Sequence, residues 1–429
     1  MTFKTISVIG LGYIGLPTAA IFASRKIKVL GVDINQSIVD TINNGKIHIV
    51  EPELDIFVKN AVKEKYLRAS TSVESADAFL IAVPTPFIPS QKDTDIPQPD
   101  LKYIEMASRS ISQVLKKGDL VILESTSPVG TSEIMAGWLS EERPDLSFPQ
   151  THGNNADIKI AYCPERVLPG KVIYELIAND RLIGGMSKSC SNAAAKLYEI
   201  FVEGSCIITN ARTAEMAKLT ENASRDVNIA FANELSILCD QMDVDVWELI
   251  ALANRHPRVN ILQPGPGVGG HCIAVDPWFI VSQFPKDARL IKEARYINDN
   301  KPKWVLNKVN SVIENILVKK PLISPDDLII ACYGLAFKSN IDDLRESPAL
   351  LIAKKIIDMH PGEVLLVEPH ITKLPINLSE GRLSDFDHAS KKADIHLLLV
   401  DHDLFKNNKP SSGEIIDTRG IWHSGNIDK

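Results

Sequence analysis

No two cysteines in this chain stand close enough for a Cys-x-x-Cys pair. The six fall at positions 163, 190, 206, 239, 272 and 332. That spacing excludes a paired-thiol metal site and a redox dithiol, and no metal is expected. Scattered thiols with no disulfide framework suit a cytoplasmic protein. No apolar run reaches the ~20 residues needed to span a bilayer, so no membrane insertion is expected. Thr5 to Ser24 imitates a secretion leader, but Gly10, Gly12, Gly15 and Pro17 interrupt it, and the glycines have another explanation. Like charges form no block, and a net charge of −7 over 429 residues gives no general affinity for nucleic acid. Glycine and proline are both missing from Ser205 to His256. A stretch without either breaker predicts a long helix, over Thr213 to Cys239, after a last strand near Cys206 to Thr209.

Glycine and proline are concentrated instead between Pro264 and Gly270, in Pro-Gly-Pro-Gly-Val-Gly-Gly. Such a run is a tight loop whose backbone can approach a ligand, since glycine has no Cβ. Cys272 follows, and Asp276 lies one helical turn further if a helix starts there. Two readings stand: a nucleophile beside a glycine cradle, or a small buried thiol. Arg255 and Arg258, with His256, precede the loop and suit an anionic ligand.

At the N-terminus, Thr5 to Ile9 reads as a buried strand, followed by Gly10-Leu-Gly12-Tyr-Ile-Gly15. Leu16 to Lys26 reads as a helix with Pro17 in its first turn, and Lys28 to Asp33 as a second strand ending in an acid. Strand, Gly-x-Gly-x-x-Gly, helix, strand, acid is the dinucleotide-binding unit. The pyrophosphate rests on the helix N-terminus. Asp33 accepts from a ribose 2′-hydroxyl and repels a 2′-phosphate, which predicts NAD over NADP.

Further strands, Ala78 to Val83 and Leu120 to Leu123, place Thr85 and Thr126 at the ligand-binding edge of a parallel sheet, where each either faces the cofactor or caps a turn. Phe87 to Pro99 and Gln150 to Asp157 read as surface loops. Strand Ile158 to Tyr162 leads to Glu165 and Arg166, a site pair or a solvated ion pair. Lys218, Asn222 and Arg225 share one helix face, which is either the wet side or a site. Helical character resumes at Arg289 to Trp304, and Leu317 to Asp326 reads as a linker. Strand Leu328 to Tyr333, helix Pro348 to Met359, strand Glu363 to Val367, helix Leu383 to Ala393 and strand Asp394 to Val400 predict a second doubly wound sheet. Its first turn lacks Gly-x-Gly-x-x-Gly, so a second dinucleotide is not expected. Lys338 and Arg345 there either reach phosphates or are surface charge.

Taken together, Gly10 to Gly15, Val83-Pro-Thr-Pro86, Glu124 to Gly130, Cys163-Pro-Glu-Arg166, Glu215 to Asn222, Pro264 to Asp276 and Gly334 to Arg345 resemble the UDP-glucose/GDP-mannose dehydrogenase family, in the family's order. Ala253 to Gln263 and Gly270 to Asp276 look like the branch acting on UDP-N-acetyl-D-mannosamine. The UDP-glucose branch has Ser before the cysteine and Pro-Lys before the aspartate, where this chain has His271, Ala274 and Val275, so a lysine role there does not carry over.

The resemblance implies an α/β fold of two doubly wound Rossmann-like domains joined by a helical middle domain with a long central helix. The expected divisions are 1–210, 211–316 and 317–429. It implies a homodimer through that helix and four-electron, NAD-dependent oxidation of a UDP-sugar. It assigns Cys272 as nucleophile, Lys218 and Asn222 as polar catalytic residues, and Asp276 and Glu165 to acid–base and water chemistry. Arg166, Val167, Lys218, Asn222, Arg225, His256, Arg258, Gly269, Phe337 and Lys338 would line the sugar nucleotide. Gly10, Gly12, Tyr13, Ile14, Gly15, Asp33, Thr85, Thr126 and Arg345 would contact NAD. UDP-N-acetylglucosamine and UDP-glucose are alternative substrates. A two-electron hydroxyacid dehydrogenase would not need Cys272, and a non-catalytic NAD sensor would show no turnover.

Overall fold

The computed structural model describes residues 3–89, 96–168, 170–270, 272–378 and 381–422. The chain divides after Glu221 into two units, 1–221 and 222–429. In the first unit, short apolar runs bounded by glycine or polar turns become strands of an eight-stranded sheet. Its order is Cys206–Asn210, Arg181–Gly185, Lys159–Tyr162, Leu120–Leu123, Ala78–Ile81, Thr5–Ile9, Lys28–Val32, Leu67–Ser70. The six strands from Lys159–Tyr162 to Leu67–Ser70 are parallel. Arg181–Gly185 runs antiparallel to its inner neighbour. Side chains alternate between two cores. Val8, Leu80 and Ile122 pack with helices Gly15–Ser24 and Leu54–Lys63, while Ile9, Ile81 and Leu123 pack with Lys102–Ser112 and Thr131–Glu142. The parallel strands follow the doubly wound order, and its switch point lies between Thr5–Ile9 and Ala78–Ile81.

The second unit carries a five-stranded parallel sheet, ordered Arg382–Leu383, Val364–Val367, Ile330–Tyr333, Ile395–Leu398, Glu414–Asp417. The helix expected over Leu383 to Ala393 is instead a short edge strand followed by Phe386–Lys392. Asp385 caps that helix through its bond from the His388 N–H, which sets the later start.

The long helix runs Ala211–Gln241 and contains the dividing point of the two units. Asn210 Oδ1 accepts from the Thr213 N–H at its start. The second long helix, Arg289–Lys319, outruns the sequence reading. Val305, Val309 and Ile316 belong to the core of the five-stranded sheet, so packing carries the helix through the expected boundary at 316 and into the expected linker. Two predicted loops also hold structure. Phe87–Ile88 and Gln98–Pro99 pair as a small ladder, with residues 90–95 outside the described part. Pro149–His152 and Gly153–Asn155 are short helical turns.

Candidate functional site

The three glycines of the turn after Ile9 stand in different surroundings. Gly10 has φ +90°, and a Cβ there would lie 2.6 Å from the Ala82 carbonyl oxygen. A Cβ on Gly15 would lie 1.8 Å from the Gly10 carbonyl oxygen, so strand and helix meet at glycine-only distance. Gly12 has nothing within 4 Å of that position and is exposed, which leaves its backbone open to a pyrophosphate. Tyr13 is exposed and Ile14 half-buried, and no side chain caps the helix that starts at Gly15. Asp33 Oδ2 accepts from the Leu11 N–H (3.0 Å) and Oδ1 from the Asn35 N–H (2.9 Å). Those bonds hold the half-buried carboxylate beside the turn, each oxygen keeping a lone pair for a ribose. The arrangement fits a dinucleotide.

Thr85 donates through Oγ1 to the Thr126 carbonyl at 2.5 Å, tying together the loops that follow strands Ala78–Ile81 and Leu120–Leu123. The loop after Thr126 is fastened by Glu215, at the start of the long helix. Glu215 accepts from the Gly130 N–H (2.6 Å), the Ser132 N–H (2.8 Å) and the Ser132 hydroxyl (2.7 Å). Sequence reading listed Glu215 only inside a motif. Its role as cap for helix Thr131–Glu142 needs the tertiary fold.

Glu165 is buried behind the end of strand Lys159–Tyr162. Lys218, also buried, donates to the Glu165 carbonyl (2.8 Å) and lies 3.2 Å from its carboxylate. The other carboxylate oxygen accepts from the Val167 N–H at 3.0 Å. The sequence-predicted carboxylate and cation are therefore one buried pair. Beneath them lies a group that sequence reading missed. Arg181 joins Glu124 (2.5 Å) and the Cys163 carbonyl (3.1 Å), with Tyr198 OH donating to the same Glu124 oxygen. Burial pushes Glu124 above the usual carboxylate range, against the pull of Arg181. Arg166 pairs with Glu221 at 2.8 Å, and Val167 packs against the apolar core rather than standing open.

In the second unit, helix Asp276–Gln283 begins where the sequence suggested, and the Asp276 N–H donates to the Cys272 carbonyl at 2.9 Å. The Asp276 carboxylate is buried and accepts from Asn222 Nδ2 at 2.5 Å, which brings together two predicted catalytic residues. Cys272 is exposed, and no disulfide joins any of the described cysteines. His271 lies outside the described residues.

The glycine loop is tight against its own chain. A Cβ on Gly269 would lie 2.4 Å from the Glu346 carbonyl oxygen, and one on Gly270 would lie 3.1 Å from the Phe337 ring. These glycines admit the 337–348 loop, a use the sequence did not reveal. Gly267 crosses helix Arg289–Lys319 at Pro302, the proline that leaves the Asn298 carbonyl without its helical donor. Asn233 Oδ1 accepts from the Gly265 N–H at 2.9 Å and its Nδ2 donates to Asn298 Oδ1 at 2.8 Å. Asn298 in turn donates to Asp226, which pairs with Arg295 at 2.5 Å. None of these four had a local signal in the sequence.

The remaining predicted positions are on the surface. Arg225, His256, Arg258 and Lys338 are exposed, and Phe337 is half-buried. Arg345 pairs with Asp343 at 2.5 Å. No group of metal-ligating side chains occurs among the described residues.

Three models of one family match the chain. They are the NAD binding domain of the UDP-glucose/GDP-mannose dehydrogenase family over residues 4–202, its central domain over 212–300 and its UDP binding domain over 331–424. A UDP-N-acetyl-D-mannosamine dehydrogenase of Yersinia pestis is 61% identical over 98% of this chain and 100% of its own. An NDP-N-acetyl-D-galactosaminuronic acid dehydrogenase of Ralstonia nicotianae is 60% identical over 99% and 98%. Among solved structures, a UDP-D-ManNAc dehydrogenase from Pyrococcus horikoshii is 39% identical with TM-score 0.85, covering 99% of this chain and 97% of that one. The UDP-N-acetyl-mannosamine dehydrogenase of Staphylococcus aureus is 40% identical with TM-score 0.83, covering 98% and 96%. With the dinucleotide turn and three matched domains in the family's order, the chain belongs to the UDP-glucose/GDP-mannose dehydrogenase family.

Proposed function

We propose that the chain oxidises the C6 alcohol of UDP-N-acetyl-D-mannosamine to the uronic acid. The carrying observation is the 61% identity, over the full length of the relative, to the Yersinia pestis enzyme of that name. The three matched family models support the three-part division at about 210 and 316, although contacts group the residues into two units.

Alcohol to acid is a loss of four electrons, and NAD, when bound, accepts them two at a time as hydride. Gly10, Gly12 and Gly15 hold the pyrophosphate, with Tyr13, Ile14, Thr85, Thr126 and Arg345 as further contacts and Asp33 on the ribose. Cys272 captures the aldehyde as a thiohemiacetal, and the second oxidation leaves a thioester. Lys218 stabilises the oxyanion, and Asn222 and Asp276, already bonded to each other, order the reacting oxygen. Glu165 activates the hydrolytic water. Arg166, Val167, Arg225, His256, Arg258, Gly269, Phe337 and Lys338 line the sugar nucleotide.

Homodimerisation through the long helix is supported by Phe231 and Leu238, which are 52% and 43% exposed and lie two turns apart on one face, with Met242 (62% exposed) just beyond the helix end. An exposed catalytic thiol needs a reducing compartment, which supports a cytoplasmic location and a role in building surface polysaccharide. Among the described residues, no helix is long and apolar enough to cross a membrane.

Two expected results test this reading. NADH formation should be fastest by kcat/KM on UDP-N-acetylmannosamine among a set also containing UDP-N-acetylgalactosamine, UDP-N-acetylglucosamine and UDP-glucose. A site that pairs the acetamido group discriminates epimers well beyond the roughly 10–200-fold of a methylene. Equal kcat/KM across the set sinks the sugar assignment. Wild type should also use NAD far better than NADP, and Asp33→Ser with a new neighbouring arginine should narrow that gap. Comparable native rates with both cofactors would remove Asp33 from the ribose.

A further inference from the structure

The second sheet repeats the opening of the first, with one change. Gly10 has φ +90° and its N–H donates to the Val32 carbonyl at 2.8 Å. Gly334 has φ +92° and its N–H donates to the Val367 carbonyl at 2.8 Å. In each unit the residue after the glycine then donates to the acid that ends the second strand. These bonds are Leu11 N–H to Asp33 (3.0 Å) and Leu335 N–H to Glu368 (2.7 Å). The difference is in how each acid is used. Asp33 is half-buried with capacity to spare. Glu368 is 4% exposed, and its Oε2 also takes the Ala336 N–H (3.1 Å) and His402 Nε2 (3.0 Å). Its Oε1 takes the His370 N–H at 3.1 Å. A carboxylate so engaged cannot serve a ribose, a second reason, besides the absent glycine motif, not to expect a dinucleotide at this sheet.

His402 is fully buried, and its Nδ1 lies 2.9 Å from the Asn340 backbone nitrogen. A backbone N–H can only donate, so Nδ1 accepts and the ring proton sits on Nε2, facing Glu368. Asn340 stands at φ +61°, a left-handed conformation that asparagine adopts more readily than most L residues. Its side chain exchanges bonds with Asp403, donating to Oδ2 at 2.9 Å and accepting from the N–H at 3.1 Å. The loop is thus tied at one end by Glu368 to Leu335 and Ala336, and at the other by His402 to Asn340. Between the ties lie only Phe337, Lys338 and Ser339, and the Phe337 ring is the surface against which Gly270 packs.

We propose that Glu368 and His402 are positioning residues that, from the position Asp33 holds in the first sheet, keep the Phe337–Lys338 loop rigid for the uridine diphosphate of the substrate. The proposal rests on the reading of that loop as the nucleotide contact. Its ligand class is a nucleoside diphosphate, met by a lysine ammonium and a fixed turn. Neither residue touches the ligand.

Calorimetric titration of the full-length protein with UDP alone tests this without any assumption about the sugar. Wild type should bind UDP. His402→Ala should bind it about tenfold more weakly, the scale of one lost buried hydrogen bond. His402→Asn, whose amide oxygen overlays Nδ1 and keeps the bond from Asn340, should recover most of that loss. His402→Gln, which keeps only the donor toward Glu368, should not. NAD affinity should stay within about twofold in all three, a separation that a general loss of structure would not produce. Should His402→Ala not fold, the Asn and Gln variants carry the test by themselves. No UDP binding by wild type overturns the nucleotide reading and the proposal with it. Equal UDP binding by the Asn and Gln variants overturns the proposal alone.

Discussion

Cys272→Ala should bind NAD and the UDP-sugar almost as wild type does, yet make nearly no acid. Wild type should release about two NADH per sugar, since the acid lies four electrons beyond the alcohol. Cys272 is an exposed side chain at the head of helix Asp276–Gln283, and its backbone carbonyl already accepts the Asp276 N–H, so removing the sulfur leaves that turn in place. What is lost is the atom that captures the aldehyde. The first oxidation lies toward the alcohol at equilibrium, so net NADH should nearly vanish. Supplied with the aldehyde directly, the variant should be slower by ~10³ or more, the scale of a lost nucleophile. Cys272→Ser should behave like alanine, because an unactivated hydroxyl is a weak nucleophile at neutral pH. Glu165→Gln should instead stall hydrolysis, and a thioester should appear as added mass on the peptide carrying Cys272. Two NADH per sugar from Cys272→Ala at near wild-type rate would refute the covalent route.

Arg295→Met should strongly destabilise the second unit. Arg295 is 1% exposed and meets Asp226, which is fully buried, at 2.5 Å, with Asp299 as a second partner. Removing one member of a buried pair costs about 3–5 kcal/mol, because the other charge stays behind without compensation. That corresponds to a fall of roughly 10 °C in the melting midpoint of the second unit. The deficit should depend on pH in a definite direction. Burial pushes Asp226 up to about 6, against the pull of Arg295 and Asn298. A carboxyl raised in the folded state favours folding while protonated, and that contribution is lost as pH rises through its folded pKa. Without Arg295 the folded pKa moves higher still, so the gap to wild type should widen from pH 5 to pH 8. Adding Asp226→Asn should recover much of it. The chain Asp226–Asn298–Asn233–Gly265 also predicts that the single variant, assayed below its melting point, loses kcat more than it gains KM. A variant melting within two or three degrees of wild type at pH 8 would show that the pair is dispensable.

Local order in the chain was enough for the dinucleotide turn, the long breaker-free helix, the doubly wound pattern of both sheets and the start of a helix at Asp276. Each depends on order along the chain: three glycines, a run without proline, short apolar runs alternating with helices, a cysteine one turn ahead of an acid. The edges of elements were less legible. Helix Arg289–Lys319 continued beyond the expected boundary because Val309 and Ile316 find a sheet to pack on, and no residue near position 316 announces that sheet. The buried polar groups were illegible for the same reason. Arg181 with Glu124, Asn233 with Gly265 and His402 with Glu368 join residues 57, 32 and 34 positions apart, and nothing in the sequence around any of them marks it as buried. Even the glycines of the 264–270 loop changed meaning. Their number marked a place where backbone comes close to something, while only the folded chain decided that Phe337, Glu346 and Pro348 are what it comes close to. Conformational freedom is a property of one residue and its neighbours in sequence. Burial, pairing and close approach depend on partners that folding supplies from elsewhere in the chain.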